Sequence, residues 1–320
     1  MLSPFSRAKM KHLLSIESLS ATEMNRILDL SVRMKAERGR HDAHPLRHQC
    51  WALIFSKSST RTRVSFEVGI RELGGDAIFL NANDIQLGRG EPIEDTARVM
   101  GRMLHGAVIR TFAQSDVETF AKFSGLPTVN ALTDDEHPCQ ILADLFTIRE
   151  KLGDIKGRTV CFVGDGACNM PRSWAWAAAK LDFTLKIAAP KEFQPDDAFL
   201  KRLNSPNVQL FEDINAAAKG ADVLYTDVWV SMGKEDEAAY RIAQLGGYQI
   251  NDVLIKIAKP GALVMHCLPA YRGKEITAEA FEQHAKTIFN QAENRLHVQK
   301  AILSILAEER LLRSPFAPKL

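Results

Sequence analysis

Residues 55–67 read FSKSSTRTRVSFE, and the fold follows from how this stretch is parsed. It begins at the end of Trp51, Ala52, Leu53, Ile54 and Phe55, an unbroken apolar run of the length expected of a buried strand. A polar turn over 56–60 comes next, then a predicted helix whose apolar positions include Val64, Val68 and Ile70. Ser58, Ser59, Thr60, Arg61 and Thr62 therefore fall where a strand hands over to a helix N-terminus. Backbone N–H groups are unpaired there and the helix dipole favours negative charge, so the position suits an anion. Hydroxyls from Ser59, Thr60 and Thr62 add donors, and the Arg61 guanidinium can hold two oxygens at once. Ser and Thr are also ordinary helix caps, and arginines are ordinarily solvated. Two arginines and three hydroxyls at one helix start favour a phosphate.

Outward from this unit, strand and helix patterns alternate. Towards the N-terminus, 16–35 reads as one or two amphipathic helices with Ser20 and Thr22 as caps. Towards the C-terminus, strands are predicted at 77–80, 107–112 and 128–131. Helices are predicted at 93–104 (Val99, Met100 and Met103 apolar), 117–124 and 141–151. The loop 81–92, NANDIQLGRGEP, has no periodicity and two glycines, and suits contact with another surface. A charged connector over 151–158 is the expected domain boundary. A second alternation follows, with strands at 159–163, 185–188, 208–210, 223–226, 263–265 and 287–289. Its helices are expected at 173–181, 196–203, 214–218 and 253–257, and a strong helix over 291–312 closes the chain. The expected fold class is α/β, with two domains. Each is a mostly parallel sheet flanked by helices, and the C-terminal helix packs back on the first.

Composition bounds the function. At 320 residues the chain can bury two cores, and 46% hydrophobic with 25% charged residues is ordinary for a globular protein. A formal net charge of +2 gives no reason to expect nucleic acid or an anionic membrane as partner. No apolar stretch approaches the length of a membrane span. The start, MLSPFSRAKMKH, is basic without an apolar centre, so no secretory signal is expected. Five scattered cysteines without a CxxC pair suggest reduced thiols in the cytoplasm.

Polar clusters recur at predicted strand ends, where open α/β sheets bind ligands. Arg110 ends an apolar run; it either meets an anion or pairs with Glu94 or Asp95. His137-Pro138-Cys139-Gln140 opens a helix. There a neutral imidazole can donate to a carbonyl oxygen and Gln can bond an amide nitrogen, although Pro138 fixing a helix start explains the run equally well. Residues 164–169, GDGACN, lack GxGxxG spacing, which argues against a nicotinamide site. Asp227 precedes Ser231-Met232-Gly233; the acid can pair with an ammonium group or merely cap a turn. His266-Cys267-Leu268-Pro269 places His beside Cys, but no partner completes a metal motif, and buried Cys is commonly just a small hydrophobe.

Ser59-Thr60-Arg61-Thr62-Arg63 resembles the carbamoyl-phosphate signature of the aspartate/ornithine carbamoyltransferase family. The order of His137-Pro138-Cys139-Gln140, Asn169, Asp227 with Ser231-Met232-Gly233, His266-Cys267-Leu268-Pro269 and Glu293-Asn294-Arg295 is similar to that family too, across residues 10–310. The SMG and HCLP strings resemble its ornithine branch. Cys168 and Pro171-Arg172 depart from the usual residues beside Asn169. The resemblance implies carbamoyl transfer from carbamoyl phosphate to the δ-amine of L-ornithine, giving L-citrulline and phosphate. A sister acceptor (putrescine, acetylornithine or aspartate) is the alternative. It implies a carbamoyl-phosphate-binding domain over 1–150, an ornithine-binding domain over 151–295, and a C-terminal helix over 296–320. Arg61, His137 and Cys267 become the catalytic residues. Ser59, Thr60, Thr62, Gln86 and Arg110 would bind carbamoyl phosphate, joined by Pro138, Cys139, Gln140, Leu268 and Arg295. Asn169, Asp227, Ser231 and Met232 would bind ornithine. No metal or organic cofactor is implied. The expected setting is a cytoplasmic homotrimer of arginine biosynthesis, with the Gln86 loop reaching a neighbouring active site.

Overall fold

The computed structural model describes residues 10–82, 85–86 and 90–313. The chain forms two compact units. The first comprises 1–142 and 295–320, and the second 143–294.

The first unit is built on β1 (Cys50–Phe55), β2 (Asp76–Asn81), β3 (Gly106–Arg110) and β4 (Thr128–Leu132), in the order β2-β1-β3-β4. Every pairing is parallel. The chain runs from β1 to one side and then returns to the other, so strand order reverses between β1 and β3. The carboxyl ends there are adjacent, with Phe55 opposite Arg110. Such a reversal opens a crevice for a ligand. β1 and β3 lie close because Gly106 has no side chain: a Cβ there would stand 2.4 Å from the Trp51 ring.

α1 (Ala21–Ala36) starts on Ser20, whose hydroxyl accepts the Glu23 N–H in a reciprocal capping box. α2 (Thr60–Glu72) starts on Ser59. α3 (Ile93–Met103) and α4 (Gln114–Ser124) pack together. α5 (Pro138–Leu152) leaves β4, with its start in the first unit and its remainder in the second. α2 buries Thr62, Phe66, Gly69 and Ile70. Val64, expected among the apolar positions, is 54% exposed, because it falls on the side of the helix opposite the buried stripe. Val99 and Met103 are likewise exposed, and α3 buries Thr96 and Ala97 instead.

The second unit is built on β5 (Thr159–Val163), β6 (Thr184–Ala188), β7 (Val208–Phe211), β8 (Val223–Thr226) and β9 (Leu263–His266), all parallel, in the order β7-β6-β5-β8-β9. Here the order reverses between β5 and β8. Val163 lies opposite Thr226, and Thr226 opposite His266, so three loops leave one edge of the sheet together. α6 (Asn169–Leu181) begins four residues earlier than the apolar periodicity indicated, and tolerates Pro171 because the first turn needs no N–H there. α7 (Asp197–Leu203) and α8 (Ile214–Ala218) are capped by Asp196 and Asp213. α9 (Ala238–Leu245) was not legible in the sequence; α10 (Asp252–Ile257) was.

α11 (Ala278–Arg313) corrects one expectation: 287–289 is not a strand. Thr287-Ile288-Phe289 is β-branched and aromatic, but Ile288 is buried and Phe289 is 56% exposed, as rotation about a helix requires. The C-terminal part of α11 packs on the first unit. A Cβ on Gly69 of α2 would lie 3.3 Å from Lys300 Cγ and 3.5 Å from Leu296 Cδ1.

Candidate active site

In the first unit the β1–α2 turn is organised by its own cap. Ser59 Oγ accepts the Thr62 N–H at 3.3 Å. Thr60 is exposed at the helix start, and Thr62 is fully buried. Arg295 on α11 donates from Nη2 to Thr62 Oγ1 at 2.7 Å, bringing a second guanidinium to the same turn. Arg61 is half-buried and makes no ion pair among the described residues. Arg110 is buried at the end of β3; Asp95, its alternative partner from the sequence, is paired with Arg98 at 2.6 Å.

His137 stands between β4 and α5, buried beside these cations. Burial, then the charges of Arg295 and Arg110, hold its imidazole well below its ordinary range. It is therefore neutral at neutral pH. A neutral ring is the form that donates to a carbonyl without adding a charge to be desolvated. Pro138 opens α5. Gln140 is buried, and its N–H bonds the His137 carbonyl at 3.0 Å. Burial pushes the Cys139 thiol up to about 12, and the thiol donates to the Asn130 carbonyl, so it serves packing. Gln86 is exposed; among the described residues it makes no hydrogen bond with this cluster, and 83–84 and 87–89 of its loop lie outside the described residues. Lys57, buried over the Phe112 ring, donates to Asp134 and so ties the end of β1 to the loop before His137.

In the second unit Asn169 begins α6, and Asp227 follows β8. Asp227 Oδ1 accepts the Val228 N–H at 2.7 Å and the Cys267 thiol at 2.9 Å. Burial raises the Asp227 carboxyl. Burial and the Asp227 charge drive the Cys267 thiol well above its ordinary value. Cys267 is thus a neutral S–H donor and no thiolate nucleophile. Its loop is held by His266. The ring accepts the Leu268 N–H on Nδ1 at 2.9 Å and meets the buried Glu275 carboxylate through Nε2 at 3.1 Å, which fixes the Nε2–H tautomer. That bond supports Leu268 at φ 59° before a cis Leu268–Pro269 peptide. Ser231 is half-buried and Met232 is 45% exposed; neither bonds Asp227 among the described residues.

Asp227, His266 and Cys267 could present three ligand atoms to a metal, all within 4.8 Å of one another. Both imidazole nitrogens and the thiol proton are already engaged, so an ion would have to displace those bonds.

Sequence reasoning missed the residues that support the second cluster. Gln291 on α11 accepts the His266 N–H at 2.9 Å and donates to the buried Asp144 of α5 at 2.8 Å. Glu275 and Asp144 were indistinguishable from surface acids in the sequence.

A cation-lined turn at one sheet's reversal point, and a carboxylate with a neutral thiol at the other's, define a two-unit α/β protein with opposite chemistry at its two strand reversals. Residues 11–150 match the model of the aspartate/ornithine carbamoyltransferase carbamoyl-P binding domain, and 156–306 that of the Asp/Orn binding domain. The chain belongs to this family of transferases. It is 58% identical over 303 residues to an ornithine carbamoyltransferase of Akkermansia muciniphila, covering 94% of this chain and 99% of that one. It superposes on the anabolic ornithine carbamoyltransferase of Campylobacter jejuni with a TM-score of 0.88 at 40% identity, covering 94% of this chain and all of that one (100%). The Pyrococcus furiosus ornithine carbamoyltransferase gives 0.86 at 42% identity, over 93% of this chain and 97% of that one.

Proposed function

We propose that this chain is an enzyme that transfers the carbamoyl group of carbamoyl phosphate to the δ-amine of L-ornithine, giving L-citrulline and phosphate. The observation that carries the reading is the gathering of Thr62, Arg110, Arg295 and a neutral His137 beside the capped start of α2. The dianionic end of the donor needs guanidinium forks and helix N–H groups. Its carbonyl needs a neutral donor close by.

Ser59, Thr60, Arg61, Thr62 and Arg110, with Arg295, neutralise the phosphate. Arg61 and His137 polarise the carbonyl oxygen, on which negative charge grows as the amine adds. In the second unit Asn169 receives the carboxylate of ornithine, and Asp227 and Ser231 its α-ammonium. Cys267, a neutral thiol bonded to Asp227, keeps that carboxylate oriented without becoming a nucleophile. The uncharged δ-amine attacks the carbonyl carbon, the C–O bond to phosphate breaks, and the departing phosphate accepts the amine's proton. Most of the acceleration comes from positioning and from charge stabilisation. Ordering of the loop bearing Ser231, Met232 and Gly233 shields the labile donor from water.

On this reading 1–150 binds the donor, 151–295 binds ornithine, and the helix after 296 returns to the donor domain. The protein works as a cytoplasmic homotrimer in arginine biosynthesis, with Gln86 contributed to a neighbouring copy's site. The test is citrulline formation by the purified chain with ornithine against putrescine, acetylornithine and aspartate. Preference for ornithine supports the reading; turnover of another acceptor in its place overturns it.

A further inference from the structure

α9 buries a single apolar residue, Leu245, which is little for a helix of its length. What seats it is polar. Arg241 Nη1 donates to Asp165 Oδ2 at 2.7 Å, and Arg241 Nε donates to Glu237 Oε2 at 2.8 Å. The Arg241 and Asp165 side chains are only 12% and 7% exposed. Beside them Tyr240 donates to Glu192 at 2.5 Å, and Arg241 lies over the Phe193 ring at 5.3 Å.

Each end of this pair leads to a candidate ornithine residue. Asp165 lies in the β5–α6 loop, and its Oδ1 accepts the Ala167 N–H at 3.0 Å, shaping the chain just before Asn169. The same loop is pressed onto the Phe193 turn: a Cβ on Gly166 would stand 2.6 Å from Ile187 Cγ2 and 2.9 Å from the Phe193 carbonyl. On the other side, Glu237 donates its N–H to the Lys234 carbonyl at 3.1 Å, Lys234 bonds the Ser231 carbonyl at 3.0 Å, and Glu235 receives the Gly233 N–H at 2.9 Å. One guanidinium thus links the loop that carries Asn169 to the loop that carries Ser231 and Met232. A buried Arg–Asp pair adds little to stability compared with apolar packing, but it fixes geometry through two directed bonds.

We propose that Arg241, bonded to Asp165, is a positioning residue for the amino-acid substrate: it sets the spacing of the Asn169 and Ser231 loops and touches neither substrate. This rests on the assignment of the second unit to ornithine.

The experiment compares steady-state citrulline formation by the full-length wild type, Arg241→Gln, Arg241→Lys, Asp165→Asn and the Asp165→Asn/Arg241→Gln double variant, with each substrate varied in turn. Arg241→Gln is expected to raise the KM for ornithine roughly tenfold, the scale of one lost charge-assisted bond, and to leave that for carbamoyl phosphate within about twofold. Arg241→Lys keeps one bond and restores most of the ornithine KM. The double variant is no worse than the worse single variant, because the two side chains act as one link. Unchanged ornithine KM, equal rises in both KM values, or additive effects in the double variant overturn the proposal. If Arg241→Gln does not fold, Arg241→Lys and Asp165→Asn carry the same comparison. A wild type that forms no citrulline overturns the functional reading itself and takes this inference with it.

Discussion

The two sheets use the same device, a reversal of strand order, and furnish it with opposite chemistry. At the β1/β3 reversal, positive charge accumulates: Arg61, Arg110, Arg295 and the start of α2, with a histidine kept neutral among them. At the β5/β8 reversal a carboxylate is held partly out of water against a neutral thiol. On the proposed reading the first cluster would receive an anion. The second, whose carboxyl is raised by burial, would receive an ammonium group. Each would then be a binding site because its ligand offsets a charge that burial makes costly.

The largest effect that would separate the clusters is on turnover. Arg61→Ala should lower kcat about a hundred- to a thousandfold, as loss of a group that stabilises developing charge does, with the fold intact by circular dichroism. A near-normal kcat would remove Arg61 from the chemistry.

Next is the scaffold of the first cluster. α11 is clamped to α2 at both ends: Arg295 bonds Thr62, and Lys300 bonds Glu72 at 2.5 Å, His41 at 2.9 Å and the Met34 carbonyl at 3.3 Å. All three donors of a fully buried ammonium are thereby used. Lys300→Met removes the buried cation and leaves Glu72 with only the more distant Arg38 and His41, and should cost about 3 kcal/mol in a urea melt. A loss within experimental error would show that this clamp does not hold α11.

In the second cluster, function and stability should diverge. The Asp227 carboxyl is raised by burial, so its native value lies above its unfolded one. Such a group favours the native state only at acid pH, and at neutral pH its ionised form costs stability. Asp227→Asn keeps an acceptor for Val228 and Cys267 and should raise the melting temperature at pH 7. It should also raise the KM for ornithine about ten- to a hundredfold, with little change for carbamoyl phosphate. A fall in both melting temperature and donor affinity would contradict this division of roles.

The smallest effect is that of pH on the first cluster. Burial and two guanidiniums lower His137, so the unfolded chain binds its proton first. Its contribution is complete above the unfolded value of about 6.5 and is lost as pH falls below it, by at most about 1.4 kcal/mol per pH unit. His105 and His284 are lowered too, each first by burial, so the wild-type slope has several sources. The difference between wild type and His137→Gln in denaturant melts from pH 7 to 5 isolates the contribution of His137. Parallel curves would show that His137 is not held neutral by its surroundings.

The contrast also governs what could be read from the sequence. The cationic cluster is written largely in one run, because a strand, its turn and the next helix start are contiguous, and capping chemistry marks the junction at Ser59. Arg295 was legible only by resemblance, since an arginine within a helix is ordinary until the helix is seen against Thr62. The carboxylate cluster is scattered over three loops. Asp227 and Cys267 stood out, but Glu275, Gln291 and Asp165 have roles only through partners distant in sequence. α9 escaped because it has scarcely any buried apolar stripe, and 287–289 misled because local β-preference yields to the long helix around it.

The division of labour between the two sheets is tested most directly by calorimetric titration of carbamoyl phosphate into the wild type, Arg61→Ala and Asp227→Ala. Donor binding should be lost or severely weakened in Arg61→Ala and close to wild type in Asp227→Ala. Retained binding in the arginine variant together with lost binding in the aspartate variant would place the donor on the wrong sheet and contradict the assignment.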